Sequence, residues 1–119
     1  MPGGAVPVSG SDIFTGTLDL LILRTLEEDD KHGYAIGRWI RERSSGVLDV
    51  EEGALYPALH RLEKRGYLQA RWGRTDTGRR AKFYRLKSSG RDALAAETDR
   101  WSEYASAVHA VLGRAGEAT

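Results

Sequence analysis

The side chains best suited to chemistry in this sequence are basic, and they are concentrated in one part of the chain. Between His60 and Arg91 there are eleven lysines and arginines but only two acidic residues, Glu63 and Asp76, which gives this segment a charge of +9. The whole chain carries a net charge of +1, so the remainder is acidic, most densely at residues 27–30. Such a polarised distribution is typical of a surface that contacts a polyanion on one side. A solvated basic hairpin accounts for the composition equally well.

Other chemistries find little support in the sequence. The chain has no cysteine, which excludes a disulfide scaffold, a thiol nucleophile and a thiolate zinc site. The three histidines, at positions 32, 60 and 109, fall in different predicted elements and lack the spacing of a metal-binding motif. His60 and Glu63 have an i, i+3 spacing that can ligate a metal, but bundles that use it need further carboxylates. We therefore expect no enzyme active site, no metal and no cofactor.

The spacing of apolar residues predicts the elements that position the basic side chains. In the first half of the chain the spacing is three to four residues, which predicts helices. These helices span residues 18–28, 34–44 and 52–65. The period then becomes two, which predicts strands over 67–72 and 81–87. The residues between them, GRTDTGRR, predict a long, mobile, positive tip, and a serine at 88 or 89 can cap a last helix over 89–113.

Three helices followed by a two-stranded hairpin predict a mainly α fold with a small β-hairpin. This is the winged helix-turn-helix, in which the third helix enters the major groove of DNA. The first helix is apolar on most sides, which predicts a central position in the bundle. The predicted organisation is a flexible leader over 1–15, a winged-helix DNA-binding domain over 16–88, a C-terminal dimerisation helix over 89–113 and a tail over 114–119.

The third helix has two faces with different predicted roles. Leu55, Leu59 and Leu62 have the spacing of one apolar stripe and predict the buried side, and Gly66 follows where a helix-ending glycine is expected. The other side is predicted to contact DNA. Its candidate residues are Gly53, Ala54, Tyr56, Pro57, His60, Arg61 and Lys64.

These candidates differ in what they can contact. His60 and Arg61 can bond base edges, whereas Lys64 suits a phosphate. Gly53, which has no side chain, and Ala54, which has a small one, allow the helix backbone to approach DNA closely. Pro57 has no N–H and is tolerated best near a helix start, so the helix is predicted to begin near residue 53 or to bend slightly.

Other residues extend this predicted surface. The hairpin contributes side chains suited to backbone or minor-groove contact. They are Arg74, Arg79, Arg80 and Lys82. For Tyr34 and Tyr56, core packing and phosphate contact explain the residue type equally well. Glu51 and Glu52 argue against DNA nearby, although both also favour a helix N-terminus through the helix dipole.

The last helix carries a narrow apolar seam. Its steps alternate between four and three residues, which is the a/d pattern of paired helices. The seam consists of Leu94, Thr98, Trp101, Ala105, Val108 and Leu112. A second copy in a two-fold dimer would bury it, although packing onto its own domain would do so too. Trp101 is large and lies in the middle, where it can pack in the interface or line a slot for a flat apolar ligand.

Several stretches resemble the PadR family of bacterial transcriptional regulators. In chain order over residues 16–112 they are GTLDLLILRTL, HGYAI, VEEGALYPALHRLEKRGYL and RRAKFYRLKSSG. The resemblance is to the branch with a single C-terminal helix and no large C-terminal domain. It implies a homodimeric winged helix that binds palindromic operator DNA, usually as a repressor released by a small ligand. For this chain that effector would be apolar or aromatic.

The resemblance also implies roles for individual residues. In the family, DNA contacts come from the tyrosine matching Tyr34 and the helix matching 53–64. The wing adds basic residues, which match Arg79, Arg80 and Lys82. In short-tailed relatives a tryptophan on the last helix, here Trp101, can line a ligand pore at the dimer interface. The chain departs from the family at Gly53, where many relatives carry Ser or Thr, so it lacks the hydroxyl that would make the phosphate contact expected there.

A second class of function fits the same features. A winged helix can be a protein-interaction module whose basic face binds an acidic partner without sequence-specific DNA binding, and the salt and sequence dependence of binding separates the two. The N-terminal residues lack the basic and apolar regions of a secretory signal. The longest apolar run, LLIL, is far shorter than a membrane span. We expect a cytoplasmic protein with no membrane partner.

Overall fold

The computed structural model describes residues 6–8 and 15–113, so the predicted tail and much of the predicted leader lie outside the described residues. The helices are α1 (Thr15–Glu28), α2 (Gly33–Arg43), α3 (Glu52–Lys64) and α4 (Ser88–Leu112). The strands are β1 (Val6–Val8), β2 (Lys31–His32), β3 (Leu48–Val50), β4 (Leu68–Arg74) and β5 (Arg80–Leu86). This order confirms the predicted mainly α winged helix with an added C-terminal helix.

Helix α1 is the centre of the core. Ile22, Leu23 and Leu26 are almost completely buried, and α2, α3, α4 and β5 all pack against the helix. Thr25 is also fully buried, and its hydroxyl donates to the Leu21 carbonyl at 2.8 Å, so burial leaves no unpaired donor there. The prediction that this helix is buried on most sides is therefore confirmed, although the helix begins at Thr15 and not at residue 18.

The wing is a three-stranded antiparallel sheet in the order β2-β5-β4. The predicted long tip was wrong, because Gly73↔Ala81 and Arg74↔Arg80 extend the ladder and leave only residues 75–79 between the strands. The Thr75 N–H donates to the Arg79 carbonyl at 2.8 Å and closes this short turn. The sequence predicted a longer loop because residues 73, 74 and 80 belong to a stretch rich in residue types common in turns. Backbone hydrogen bonds nevertheless pair them in the ladder, since strand propensity depends strongly on context.

Three short strands were not predicted from the sequence: β2, which adds a third strand to the predicted two-stranded wing, and β1 and β3, which form a separate sheet. β1 and β3 pair in parallel, with Val6↔Leu48 and Val8↔Val50 in register. Residues 6–8 lie within the predicted flexible leader, so part of that segment is a strand. Pro7 tolerates this position because β1 lies at a sheet edge, where a missing N–H costs little. β1 and β3 have three residues each, too few to show a clear period in the sequence.

The start of α4 is anchored on the turn between α3 and β4. A Cβ at Gly90 would lie 2.5 Å from the Tyr67 carbonyl oxygen, so only glycine fits there. The predicted serine cap is not formed: the N-cap is Lys87, and the Ser89 hydroxyl donates to the Gly66 carbonyl at 2.6 Å instead. This contact fixes the direction in which α4 leaves the domain.

Candidate nucleic-acid interface

Helix α3 separates its core residues from an exposed polar stripe. Leu55, Ala58, Leu59 and Leu62 are buried against the rest of the domain. On the opposite side, four residues at helical spacing are exposed. They are Gly53, Pro57, His60 and Lys64. The predicted apolar stripe is thus confirmed, and most of the predicted contact residues lie together on one accessible face, with Ala54 half-buried at its edge.

Both ends of α3 follow from its sequence. The helix begins at Glu52, which agrees with the start predicted from Pro57. Pro57 is in the second turn and cannot donate to the Gly53 carbonyl. At the other end Gly66 has a φ of +85°, and the Tyr67 N–H donates to the Leu62 carbonyl at 3.1 Å. This is the expected glycine-terminated helix end.

Arg61 has a different environment from the one predicted for a base-reading residue. Its Nη2 donates to Oδ1 of Asp19 on α1 at 2.6 Å, and the Asp19 side chain is only 14% exposed. Its Nε is buried without a hydrogen-bond partner among the described residues. Arg61 therefore ties α3 to α1, and we assign it a structural role. The 42-residue separation from Asp19 gave the sequence no signal for this pair.

Two tyrosines stand at the junction of α2 and α3. Tyr34 is 65% exposed and Tyr56 is 45% exposed, so neither is a core residue. A Cβ at Gly33 would lie 2.7 Å from Cε1 of Tyr56, which places that ring directly over the first residue of α2. The His32 Nδ1 accepts the Ala35 N–H at 3.4 Å and caps the same helix. Both tyrosines are therefore accessible at this junction.

The junction opens into a polar groove of about 600 Å³ between α2 and α3. Its lining includes two arginines that sequence reasoning missed, Arg38 and Arg41. The Arg38 guanidinium lies 5.7 Å from the Tyr34 ring centroid, and its Nε is 4.0 Å from Glu42. Their positions on the outward face of the predicted second helix, close to Tyr34, could have indicated that they line this groove.

Three of the four predicted wing residues, Arg74, Arg80 and Lys82, share one face of the sheet, whereas Arg79 lies in the turn. In the β4–β5 register, Arg74 pairs with Arg80 and Trp72 pairs with Lys82, which places these four side chains on the same side. Lys82 Nζ is 3.4 Å from Glu63 of α3, so this is the side that faces α3. Arg74 donates to the Gly78 carbonyl at 2.9 Å and braces the turn.

The acidic cluster at residues 27–30 is largely neutralised within the protomer. Arg24 lies 3.4 Å from Glu27 and 3.5 Å from Glu28. Lys31 binds Asp29, and Arg71 reaches Asp30 at 3.7 Å. By contrast, within residues 15–113 no carboxylate pairs with five cations of α3 and the wing. These cations are Lys64, Arg65, Arg74, Arg79 and Arg80.

Helix α4 passes from the core to solvent along its length. Leu94, predicted in the dimer seam, is only 5% exposed and belongs to the protomer's own core. Thr98, exposed on the next turn, donates its hydroxyl to the Leu94 carbonyl at 2.7 Å. Beyond it Trp101 and Val108 are exposed and Ala105 is half-buried, while Leu112 is 60% exposed.

The exposed end of α4 is broader than the predicted seam. Sequence reasoning missed Tyr104 and Val111, which lie beside it at the same three- and four-residue spacing, and Val111 is 86% exposed. Trp101 and Tyr104 have ring centroids 5.8 Å apart. Together with Gly16, Thr17 and Leu20 of α1 they line an apolar groove of about 230 Å³. Trp101 thus lines a groove at an apolar surface that the protomer leaves open.

The described residues offer little to other chemistries. Among them no group of three or more histidines and carboxylates is placed to hold a metal ion. Burial raises the pKa of Tyr84, and the nearby Lys82 opposes this only in part, so the phenol stays neutral. No described helix is both long and apolar enough to cross a membrane.

Comparison with known proteins shows which family this chain belongs to. Residues 22–96 match the model of the transcriptional regulator PadR-like family, which covers more than half of the chain. The chain is 37% identical over 93 residues to an uncharacterised protein of Lysinibacillus sphaericus, covering 78% of this chain and 85% of that protein.

Solved structures agree in sequence and in shape. A transcriptional regulator from Clostridium thermocellum shares 31% identity with a TM-score of 0.74, over 86% of this chain and 96% of the other. A PadR family transcription regulator from Clostridium difficile shares 31% identity with a TM-score of 0.70, over 82% of this chain and 99% of that one. The exposed stripe of α3, the basic wing and these similarities agree, and the chain belongs to the PadR-like family of transcriptional regulators.

Proposed function

We propose that the protein is a cytoplasmic, homodimeric repressor that binds palindromic operator DNA through α3 and the wing. The observation that carries this proposal is the group of unpaired cations on one side of the domain. Lys64, Arg79 and Arg80 have no carboxylate partner within residues 15–113, whereas the acidic cluster at residues 27–30 is paired. Cations left without counter-charges on one face are suited to phosphates, whose binding releases condensed counterions.

Each part of the surface has its own role in this proposal. His60, at the centre of the exposed α3 stripe, contacts base edges, and Gly53, Ala54 and Pro57 allow close approach of the helix. Lys64 and the wing cations contact phosphates and fix the register. The hydroxyls of Tyr34 and Tyr56 donate to the DNA backbone beside the α2–α3 groove, whose lining carries Arg38 and Arg41 together with Glu42, Asp49 and Glu52. In this proposal Arg61 holds α3 against α1 through its ion pair with Asp19 and is not assigned a base contact.

The dimer is supported by the exposed apolar end of α4. Trp101, Val108 and Leu112 lie on one side of the helix, and each is at least 38% exposed in the protomer. A second copy related by a two-fold axis would cover this surface, and the two α3 helices would then meet two half-sites of a palindrome about one DNA turn apart. Ala105 fits the same interface as a small residue that allows the helices to approach.

Release by a ligand is supported by the groove at Trp101. Its lining is mostly apolar, and Trp101 and Tyr104 provide aromatic surfaces on which a flat ligand can stack. The groove lies next to the surface assigned to the dimer, so a bound ligand would alter the relation between the two protomers. To cause release, the ligand must bind more tightly to the conformation that cannot bind DNA.

A band-shift assay on the DNA upstream of the protein's own gene tests the proposal. We expect a complex at about 0.1 M salt that resists non-specific competitor and weakens steeply as salt rises. A protein-interaction module would form only complexes that competitor removes. The absence of any competitor-resistant complex, on this DNA and on neighbouring intergenic regions, would contradict the proposal.

A further inference from the structure

Trp72 is a large exposed side chain that the proposed function leaves without a role. It lies on β4, is 58% exposed, and is directly opposite Lys82 on the face of the wing that faces α3. Single exposed aromatic residues are common on protein surfaces, so exposure alone does not indicate a function. Its neighbour is what sets it apart.

Arg80 stacks on Trp72. The guanidinium carbon of Arg80 lies 4.4 Å from the centroid of the indole, the shortest cation–ring distance among the described residues. Arg80 is diagonal to Trp72 across the ladder, because Trp72 pairs with Lys82 and Arg74 pairs with Arg80. Within residues 15–113 no carboxylate neutralises Arg80. The indole therefore holds this cation in place and leaves its charge available.

The neighbouring arginine shows what this contact adds. Arg79 is exposed in the turn next to Arg80, but among the described residues no aromatic ring is close to its side chain. A free arginine loses much of its rotamer entropy when it binds a phosphate, whereas a guanidinium already stacked on a ring has lost part of it beforehand. An arginine fixed before DNA arrives also keeps a defined position relative to α3.

We propose that Trp72 is a positioning residue that fixes Arg80 for one phosphate contact, so that a neutral side chain controls part of the salt dependence of DNA binding. This inference rests on the proposed function, since it requires that the wing contacts DNA. It predicts that removing the indole has the electrostatic effect of removing the arginine, even though the charge of the protein is unchanged.

The test measures operator affinity by fluorescence anisotropy over a series of salt concentrations. Trp72→Leu keeps apolar bulk on the strand but removes the aromatic ring, and Trp72→Phe keeps a smaller ring. The other variants are Arg80→Ala, the double variant W72L/R80A, and Arg85→Ala as a control on the opposite face of β5. Thermal melting followed by circular dichroism shows that each variant is folded at the assay temperature.

We expect Arg80→Ala to lower the slope of log affinity against log salt by about 0.9, which is an affinity loss of about eightfold at ~0.1 M salt. Trp72→Leu should lower the slope by most of that amount, Trp72→Phe should retain it, and Arg85→Ala should match wild type. The double variant should bind no more weakly than Arg80→Ala alone, because the two residues act as one unit.

Two results would overturn the inference. One is a Trp72→Leu variant that binds as tightly as wild type with the same salt slope, since Arg80 would then need no indole to reach its phosphate. The other is a double variant whose loss equals the product of the two single losses. Wild-type protein with no salt-dependent DNA binding would overturn the proposed function as well, and that result is distinct from both.

Discussion

Two surfaces of this chain expose groups that the chain itself does not satisfy, for opposite physical reasons. One is the α3–wing surface, formed by the exposed face of α3 with β4 and β5, and the other is the distal end of α4. On the α3–wing surface, Lys64, Arg79 and Arg80 carry charge that no carboxylate within residues 15–113 neutralises. On distal α4 the exposed side chains are apolar, and Val111 and Leu112 are 86% and 60% exposed. Unpaired charge favours a polyanion, whereas uncovered apolar area favours another protein surface.

The acidic cluster at residues 27–30 shows how pairing within the chain can neutralise a dense group of charges. In the sequence this cluster is as conspicuous as the basic segment, but Arg24, Lys31 and Arg71 neutralise it, and Arg43 lies 3.8 Å from Glu28. The cations Arg24, Lys31 and Arg43 also surround the Trp39 ring at 5.1–5.7 Å. The charges of this acidic region are paired within the chain, whereas the cations of the α3–wing surface are unpaired and the apolar side chains of distal α4 are uncovered.

The largest effect is expected from a substitution that disrupts the apolar surface of distal α4 and leaves the α3–wing surface unchanged. Val108→Glu places a charge in the centre of the exposed α4 stripe, where a partner helix would have to bury it. We expect sedimentation to show a monomer and operator affinity to fall about 100-fold, because each half-site is then bound separately. Ser106→Glu, on the opposite side of α4, should leave both unchanged. A dimer that survives Val108→Glu would remove α4 from the interface.

The next effect tests whether Arg61 belongs to the fold or to the DNA surface. Arg61→Ala leaves the nearly buried Asp19 carboxylate without its partner. We expect the free energy of unfolding to fall by about 1–3 kcal/mol in urea titrations. Asp19→Asn should lower stability by a similar amount, and the double variant should lose much less than the sum of both. Normal stability with loss of operator discrimination would instead make Arg61 a base-reading residue.

A smaller effect is expected from substitutions that distinguish residues of the α3 stripe that contact bases from those that contact phosphates. His60→Ala should reduce the preference for the operator over unrelated DNA by about tenfold, the effect of one lost base contact. Lys64→Ala, one turn further along the same face, should weaken both DNAs equally and lower the salt slope by about 0.9. Anisotropy with the two duplexes measures both quantities. If the two variants were indistinguishable, the assignment of roles along α3 would fail.

The smallest effect concerns the departure from the family at Gly53. A Cβ at Gly53 would meet no atom within 4 Å, so there is room for Gly53→Ser. If α3 approaches a phosphate at this end, the added hydroxyl should increase affinity for all DNA about threefold, the gain from one exposed hydrogen bond. Gly53→Ala is the matched control and should improve only stability, through its higher helix propensity.

Sequence periodicity predicted the fold and the buried side of α3, because Leu55, Leu59 and Leu62 repeat at helical spacing over a full element. Periodicity could not reveal pairs that are distant in the sequence. Arg61 was predicted to contact DNA, whereas in the structure it binds Asp19, 42 residues away. The apolar seam of α4 was likewise predicted to run without interruption from Leu94. In the structure Leu94 packs in the core of the domain, and the seam residues after it are mostly exposed. What a side chain contacts depends on neighbours that spacing along one element does not reveal.

The most direct test of the whole account is the composition of the protein–DNA complex, measured by sedimentation with a palindromic duplex from the upstream region. If DNA completes the α3–wing surface and a second copy completes α4, two chains of 13.1 kDa will bind each duplex at about 0.1 M salt. The complex will dissociate as salt rises. One chain per duplex, or binding that is unaffected by salt, would contradict the account.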